Sequence, residues 1–260
     1  MTNAIGRLFK TRKLAILVLV FCLCCQAKDK NKTADMNELV SGIINWGNEA
    51  LNSKGTTIEI QPVRKGYNNG VHESVYGVSV SGLPRDQSYA VFEVPINATE
   101  PTVVAPEIYI ATDGRLCKRE GLCHDDSGPY LRLSFVSARG EPHRIALISE
   151  DSKYKITAMV IPNAIVTTDQ GCRVEVVRAT PRFEMAIIRG EGFTPNEEFK
   201  YKSNSAGETR EKKIQVDADG KFVFALGPGV KGKSEGDDKV LFKAAKCSPA
   251  ISYHWGSIDY

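Results

Sequence analysis

The feature that most constrains this chain is a long series of short, strand-like segments that follows Thr56. Each segment is rich in Val, Ile, Tyr and Phe, and is separated from the next by Gly, Pro, Asp or Asn. Apolar and polar residues alternate within several of them, as at Tyr76, Val78 and Val80, which indicates strands with one buried face. Many short strands joined by turns favour a mainly β chain of stacked sheets over an α/β enzyme fold. The clearest segments are Thr57–Ile60, Tyr76–Val80, Tyr89–Val94, Glu107–Ala111, Tyr130–Val136, Arg144–Ile148, Lys155–Ile161, Arg173–Val177, Phe183–Arg189, Glu198–Lys202, Lys212–Val216, Phe222–Leu226, Lys239–Lys243 and Ser252–Trp255.

Ahead of the strands, residues 1–27 have the pattern of a secretory signal peptide. Basic residues precede an apolar run from Leu14 to Leu23, which is too short to span a membrane, and polar residues follow it. We expect cleavage after Ala27, so that the mature protein begins at Lys28 and is secreted or lies in the periplasm or at the cell surface. Two alternatives remain: a lipoprotein acylated at Cys25, and an uncleaved membrane anchor.

The segment 28–55 is expected to contain a charged tether followed by the one strong helical pattern of the chain. Apolar residues recur at helical spacing between Asp35 and Ser53, and Asp35 with Glu38 forms a capping box at the start. Gly55 supplies a stop at the end. The predicted helix packs on its own domain, or alternatively serves as a docking or oligomerisation helix.

Removal of the signal changes the charge of the chain. The signal carries four of the 34 Lys and Arg residues and none of the 31 Asp and Glu residues, which leaves 30 basic and 31 acidic residues. A nearly neutral mature chain gives no electrostatic reason to expect nucleic acid or anionic membranes as partners.

Removal of the signal also changes the cysteine count from seven to four. The remaining residues are Cys117, Cys123, Cys172 and Cys247, and an even number in an exported protein indicates two disulfides. Four cysteines allow three pairings. We favour Cys117–Cys123 with Cys172–Cys247, because glycines near the first pair let it close a tight loop; free buried thiols are the alternative.

Two stretches resemble the turns of known β-sandwich families. The segment from Gly82 to Tyr89, G-L-P-R-D-Q-S-Y, resembles the turn before a late strand in fibronectin-III-like and immunoglobulin-like domains, where a tyrosine hydroxyl caps the corner. Gly190–Glu197 and Asp217–Phe222 are similar to the bacterial surface Ig-like pattern of a "G-x-G-F-x-P-x-E" turn followed by a "D-G-x-F" hairpin. The resemblance implies a bacterial exported protein with two or more Ig-like modules, and it speaks for fold, not activity.

The strand pattern is interrupted at Ala179-Thr180-Pro181, so we expect a module boundary near Arg178–Arg182. The predicted organisation is a signal peptide (1–27), a tether and helix (28–55), a β-sandwich region (56–180) and a C-terminal Ig-like sandwich (181–260).

No catalytic motif stands out in the sequence. The chain lacks G-x-S-x-G, Walker A and dinucleotide-binding fingerprints, and its four histidines are not in paired metal-ligand spacing. His124-Asp125-Asp126 is polar enough to bind a cation, but a solvated loop is the simpler interpretation. Asp217-Ala218-Asp219-Gly220 resembles the start of a calcium loop, yet Pro228 occupies the position that needs Glu. We therefore assign no catalytic, cofactor or metal residues.

These patterns predict an exported, non-catalytic binding or scaffold protein of the cell surface or periplasm. Its partner would be a protein or glycan at the cell envelope, without nucleic acid and without a membrane span in the mature chain. Two other hypotheses remain open. One is a secreted hydrolase whose catalytic residues are scattered in sequence. The other is an assembly subunit that pairs through a strand edge or the N-terminal helix.

Overall fold

The computed structural model describes residues 52–68, 71–96, 101–118 and 130–258. The regular structure within these ranges is entirely β, so the all-β part of the fold prediction is confirmed there. None of the described residues forms a helix that could cross a membrane. The signal peptide and the predicted helix Asp35–Ser53 lie outside the described residues, apart from Asn52 and Ser53.

The first eight strands form two antiparallel sheets that share one core. One sheet has the order β1-β2-β6 and the other has the order β5-β4-β3-β7-β8. Both sheets contribute apolar side chains to this core, among them Val78 and Leu133 from one and Val91 and Leu147 from the other. The strands are β1 (Thr57–Asn68), β2 (Val71–Ser81), β3 (Tyr89–Val94), β4 (Thr102–Ile110), β5 (Leu116–Cys117), β6 (Arg132–Val136), β7 (His143–Ser149) and β8 (Lys155–Val160).

The remaining eight strands form a second sandwich. Its sheets have the orders β14-β11-β10-β9 and β13-β12-β15-β16. Phe193, Phe199, Phe222 and Phe242 lie together in the core between them, with adjacent ring centroids 4.9–6.3 Å apart. The strands are β9 (Ile165–Asp169), β10 (Cys172–Arg178), β11 (Ala186–Glu191), β12 (Glu198–Ser205), β13 (Glu208–Gln215), β14 (Phe222–Leu226), β15 (Gly236–Lys243) and β16 (Ala250–Trp255).

The two sandwiches have the same strand order. The sheet β1-β2-β6 corresponds to β10-β11-β14, and β4-β3-β7-β8 corresponds to β13-β12-β15-β16, with β5 and β9 added at sheet edges. A close backbone contact recurs at the same place in both. A Cβ on Gly82 would lie 2.1 Å from Gly55 O, and one on Gly192 would lie 2.3 Å from Gly171 O. The turn that resembles Ig-like families therefore occupies equivalent positions in the two sandwiches.

The tyrosine of the first turn behaves partly as the resemblance implies. The Tyr89 hydroxyl donates to the carbonyl of Pro84 at 2.7 Å, five residues upstream. Tyr89 begins β3, however, which is the third strand of its sandwich and not a late one. The bond thus fixes the turn between the sheets at a different corner from the one expected.

Strand pairing does not support the expected boundary near Arg178–Arg182. β10 ends at Arg178 and lies between β9 and β11 in one sheet, so residues 165–178 belong to the second sandwich. The break at Ala179-Thr180-Pro181 is the turn between β10 and β11. The sandwiches are instead divided between Val160 and Ile165.

A buried contact joins the two sandwiches at this division. Met159 and Ile161 pack against a cluster that contains Val177 and Ile187. The turn between β6 and β7 also reaches across, because the Gly140 carbonyl accepts the N–H of Arg178 at 2.7 Å. The contact between the sandwiches is therefore an apolar cluster with a backbone hydrogen bond beside it.

Candidate functional site

The structure places the predicted cysteines as follows. Cys172 and Cys247 form a disulfide, with Cα atoms 6.3 Å apart, that ties β10 to the loop between β15 and β16. Cys117 is buried in β5, while Cys123 lies outside the described residues, so that pairing stays a prediction. Cys25, Ala27 and Lys28, which bear on lipidation and cleavage, also lie outside them.

The described histidines occur in three unrelated places. His72 lies against Tyr67 with ring centroids 3.9 Å apart and ring planes tilted by 41°, and the Nδ1 atom of His254 lies 2.9 Å from Oδ1 of Asp237. His143 is buried in the first sandwich. Within residues 52–68, 71–96, 101–118 and 130–258, no three His, Cys, Asp or Glu side chains cluster closely enough to hold a metal ion. The cation candidate His124-Asp125-Asp126 lies outside these ranges.

One group of side chains has the connectivity of a catalytic triad. The Nε2 atom of His143 lies 2.7 Å from the Ser137 hydroxyl, and its Nδ1 atom lies 2.6 Å from Oε1 of Glu93. A carboxylate can only accept a hydrogen bond, so a neutral His143 ring donates from Nδ1 and leaves Nε2 to accept the serine proton. This is the relation that activates serine in hydrolases.

The surroundings of Ser137 do not permit that reaction. Ser137 is 1% exposed, so a substrate carbonyl has no path to its hydroxyl. The backbone N–H after a nucleophilic serine forms part of the oxyanion hole in α/β-hydrolases, but here the N–H of Ala138 donates to the Glu141 carboxylate at 2.9 Å. These three side chains therefore stabilise the turn between β6 and β7.

A second polar group is enclosed in the core of the second sandwich. Asp238 is fully buried, and its carboxylate accepts hydrogen bonds from the hydroxyls of Ser203 at 2.8 Å and Tyr253 at 3.1 Å. Burial raises the pKa of Asp238, and these two hydrogen bonds oppose the rise only in part. Because Asp238 has no contact with solvent, this group is closed to a ligand.

An open pocket of about 670 Å³ lies on the outer face of the sheet β14-β11-β10-β9. We call it the arginine pocket. Its volume falls within the range of about 300–1,000 Å³ that is typical of small-molecule sites. Its polar lining residues are Arg173, Arg189, Glu191, Gln215, Asp217 and Lys221.

An ion-pair ladder across β10 and β11 forms one wall of the pocket. Glu175 is 3% exposed, and its carboxylate accepts from Arg189 Nε at 2.5 Å and from Arg173 Nη2 at 3.2 Å. Arg173 also contacts Glu191 at 3.4 Å. Backbone pairing sets this arrangement, because Glu175 lies opposite Arg189 and Arg173 lies opposite Glu191.

The opposite rim comes from the turn between β13 and β14. Oδ1 of Asp217 accepts the backbone N–H groups of Asp219 at 2.9 Å and Lys221 at 2.7 Å, which fixes the turn. Gln215 is held by its amide, which donates to Asn196 O at 3.0 Å. The rim therefore presents side chains that are already oriented.

Sequence reasoning did not identify the arginine pocket. Alternation in C-R-V-E-V-V-R and A-I-I-R-G-E places charged residues on one face of each strand, and this signal was visible. Alternation does not say which strands are neighbours, so Arg189 could not be assigned to Glu175. The turn D-A-D-G-K likewise indicated a hairpin without indicating what it faces.

Comparisons with known proteins give limited likenesses. No protein-family model matches the chain, and no curated protein is similar to it. Among solved structures, a tetra-tandem repeat in the extending region of a large adhesion protein is 10% identical with a TM-score of 0.25, and the match covers 79% of this chain and 50% of that one. A Ca²⁺-stabilized adhesin that helps an Antarctic bacterium reach out and bind ice is 12% identical with a TM-score of 0.21, over 78% of this chain and 48% of that one. The chain thus spans about half the length of each, and its function is argued from its own residues.

Proposed function

We propose that this chain is an exported, non-catalytic binding and scaffold protein of the cell surface or periplasm. In this proposal, two Ig-like sandwiches form a tandem support, and the second sandwich presents the binding site. The strand order supports the Ig-like assignment, because β10-β11-β14 and β13-β12-β15-β16 match the A-B-E and C′-C-F-G sheets of that architecture. The division between Val160 and Ile165 would then separate the modules.

The observation that carries the proposal is the chemistry of the arginine pocket. No serine, cysteine or histidine is among its described lining residues, so it offers no hydroxyl, thiol or imidazole nucleophile of these residues. Its two carboxylates already accept hydrogen bonds, Glu191 from Arg173 and Asp217 from backbone N–H groups, and they retain lone pairs for further donors. The acid of a glycosidase lies in a sheltered site, whereas the Glu191 side chain is 52% exposed. The pocket is therefore suited to binding without turnover.

Two of the described strand edges, those of β1 and β8, give little support to assembly by strand addition. The open edge of β1 contains a bulge between Pro62 and Arg64, and Lys65 follows it. Proline, bulges and charged side chains are the features by which natural edge strands resist pairing. The open edge of β8 is occupied by the chain itself, because Ser53 N–H donates to Lys155 O at 2.8 Å.

The test measures binding and turnover on the same preparation. Labelled mature chain, residues 28–260, is titrated onto isolated envelopes of the source organism, with unlabelled chain as competitor. We expect saturable, competable binding and no release of soluble products from the envelopes. Non-saturable binding would contradict the proposal, and so would product release that is lost in Ser137→Ala or Glu191→Gln. Mass spectrometry of the native N-terminus tests export, with Lys28 expected as the first residue and an acylated Cys25 as the alternative.

A further inference from the structure

The two arginines of the pocket are held in fixed orientations by a buried partner. Glu175 lies between them, and each of its oxygens accepts from one guanidinium. The Arg173 and Arg189 side chains remain 38% and 40% exposed, so their outer faces line the pocket. A binding group whose orientation is fixed by a second, buried residue loses little conformational entropy when a ligand arrives.

These arginines and the neighbouring lysine retain hydrogen-bond donors. Among the described residues, Arg189 Nη1, Arg173 Nε and Lys221 Nζ have no acceptor. Each guanidinium therefore keeps one nitrogen for a ligand, and the two oxygens of a carboxylate can accept one hydrogen bond from each arginine. Glu175 cannot use these outward donors because it lies beneath them. The free donors therefore favour a ligand that carries a carboxylate.

The rest of the rim supplies acceptors. Glu191, Asp217 and the amide oxygen of Gln215 surround the same cavity, and they suit the hydroxyl groups of a ligand. The apolar part of the lining, which includes Phe222 and Val223, is larger than the polar part, so a fitting ligand also carries apolar surface. A sugar ring meets both conditions, because it presents C–H groups on its faces and hydroxyl groups around its edge. The formal charges of Arg173, Arg189 and Lys221 balance those of Glu175, Glu191 and Asp217, so a preference for an acidic ligand must come from the free donors and not from net charge.

We propose that the arginine pocket binds a saccharide that carries a carboxylate, of the hexuronic acid class. In the bound state the carboxylate lies against Arg173 and Arg189, Lys221 closes the rim, and the sugar hydroxyls donate to Glu191 and Asp217. This inference rests on the proposed binding function and names the ligand class of its site.

The experiment is an isothermal titration of the mature chain with a hexuronate trisaccharide and with the corresponding neutral hexose trisaccharide. We expect the acidic sugar to bind at least tenfold more tightly than the neutral one. Lys221→Glu should weaken binding of the acidic sugar at least tenfold, because it reverses a charge at the rim. Lys243→Glu is the matched control: it makes the same charge change at an exposed position on the other sheet and should change affinity less than twofold.

A second variant tests the guanidinium geometry. Arg189→Lys keeps a positive charge next to Glu175 but removes the free Nη1 donor, so we expect a tenfold or greater loss of hexuronate affinity. Its unfolding transition, followed by circular dichroism, separates a binding defect from misfolding, and Lys221→Glu keeps the test decisive if Arg189→Lys does not fold.

Several outcomes would overturn the inference. They are absence of hexuronate binding, equal affinity for the neutral sugar, tighter binding of an acidic peptide, and equal losses in Lys221→Glu and Lys243→Glu. The envelope titration distinguishes this failure from failure of the proposed function. Saturable envelope binding without hexuronate binding removes only the ligand assignment, whereas loss of both removes the binding function as well.

Discussion

Substitution of Gly140 tests whether the contact between the sandwiches is tightly packed. Gly140 has φ of +71°, and a Cβ at this position would lie 2.9 Å from Phe183 Cζ and 3.1 Å from Val176 O. Both groups belong to the second sandwich, whereas Gly140 lies in the turn between β6 and β7 of the first. Gly140→Ala therefore adds one methyl group directly between the two sandwiches.

The expected loss of unfolding free energy is obtained by comparison with a matched control variant, Gly207→Ala. Gly207 also has a positive φ, +93°, but a Cβ there would meet nothing within 4 Å. An L-residue in left-handed backbone costs about 1–2 kcal/mol, and this cost is common to Gly140→Ala and Gly207→Ala. An extra methyl in a packed region costs about 1–3 kcal/mol, and only Gly140→Ala bears it. We expect Gly140→Ala to lower the free energy of unfolding by about 1–3 kcal/mol more than Gly207→Ala does.

Urea unfolding gives this difference, and hydrogen exchange shows where it arises. The N–H of Arg178 donates to Gly140 O across the contact, and the N–H of Gly140 donates to Asn163 O, both at 2.7 Å. In Gly140→Ala we expect the Arg178 amide to exchange faster, while in Gly207→Ala it should exchange as in the wild type. Equal destabilisation by the two variants, or an unchanged Arg178 amide in Gly140→Ala, would refute a close contact between the sandwiches.

Two further predictions concern the core of the second sandwich. The double variant Cys172→Ser with Cys247→Ser opens a loop that spans 75 positions. Loop entropy predicts that the free energy of unfolding in urea falls by about 4.5 kcal/mol. A fall of less than about 1 kcal/mol would contradict the loop-entropy account. Burial raises the pKa of Asp238, so its stabilising contribution is complete below the unfolded-state pKa and is lost as pH rises through the folded-state pKa. Asp238→Asn lacks this titration, so its unfolding free energy relative to the wild type should increase between pH 3 and pH 7, and a decrease would show the opposite pKa shift.

The strand pattern anticipated most of the fold because each predicted segment needs only its own residues to be recognised. β9 was missed since its turn carries an unusual signal. Asp169 pairs with Cys172, so Gln170-Gly171 forms a two-residue hairpin loop with positive φ at both positions. Asn-Gly or Asp-Gly is the usual sequence for such a turn, so glutamine at the first position did not indicate a hairpin. Without β9, the second sandwich appeared to begin later than it does.

The expectation of a boundary near Arg178–Arg182 has a related cause. Phe183 was assigned to a strand that was expected to begin there, but β11 begins at Ala186. Phe183 has φ of +56° and is 1% exposed, with the Arg178 guanidinium 4.1 Å from its ring centroid. It is a loop residue that fills the core. Hydrophobicity alone does not distinguish such a residue from a strand residue, because the difference depends on what packs against it.

The repeated strand order makes the arginine pocket separable from the fold. Thr57 pairs with Ser81 in the first sandwich at the position where Arg173 pairs with Glu191 in the second. Their hydroxyl oxygens lie 2.6 Å apart, where the second sandwich has an ion pair. The same architecture therefore forms at this position without charged residues.

The next pair of facing residues along the strands also shows that the architecture forms without an arginine. Glu59 pairs with Ser79 in the first sandwich, and Glu175 pairs with Arg189 in the second. A glutamate is thus tolerated here without an arginine opposite, and Glu59 is exposed while Glu175 is buried under its two partners. The arginines are the difference between a plain sheet face and the pocket.

This correspondence yields a variant that removes the pocket by using residues the architecture already accepts. The triple substitution Arg173→Thr, Arg189→Ser and Glu191→Ser copies the first sandwich onto the second. Removal of one partner from a buried ion pair can cost about 3–5 kcal/mol. Here both arginines that cover Glu175 are removed, so Glu175 should become exposed as Glu59 is, and the variant should unfold within a few kcal/mol of the wild type. It should nevertheless lose hexuronate binding completely. Circular dichroism shows whether the variant is folded, and calorimetry on the same sample shows whether it binds the sugar. Retained binding in a folded triple variant would show that the arginines are a structural ladder and not the binding groups, because function resides in a site and not in the fold that carries it.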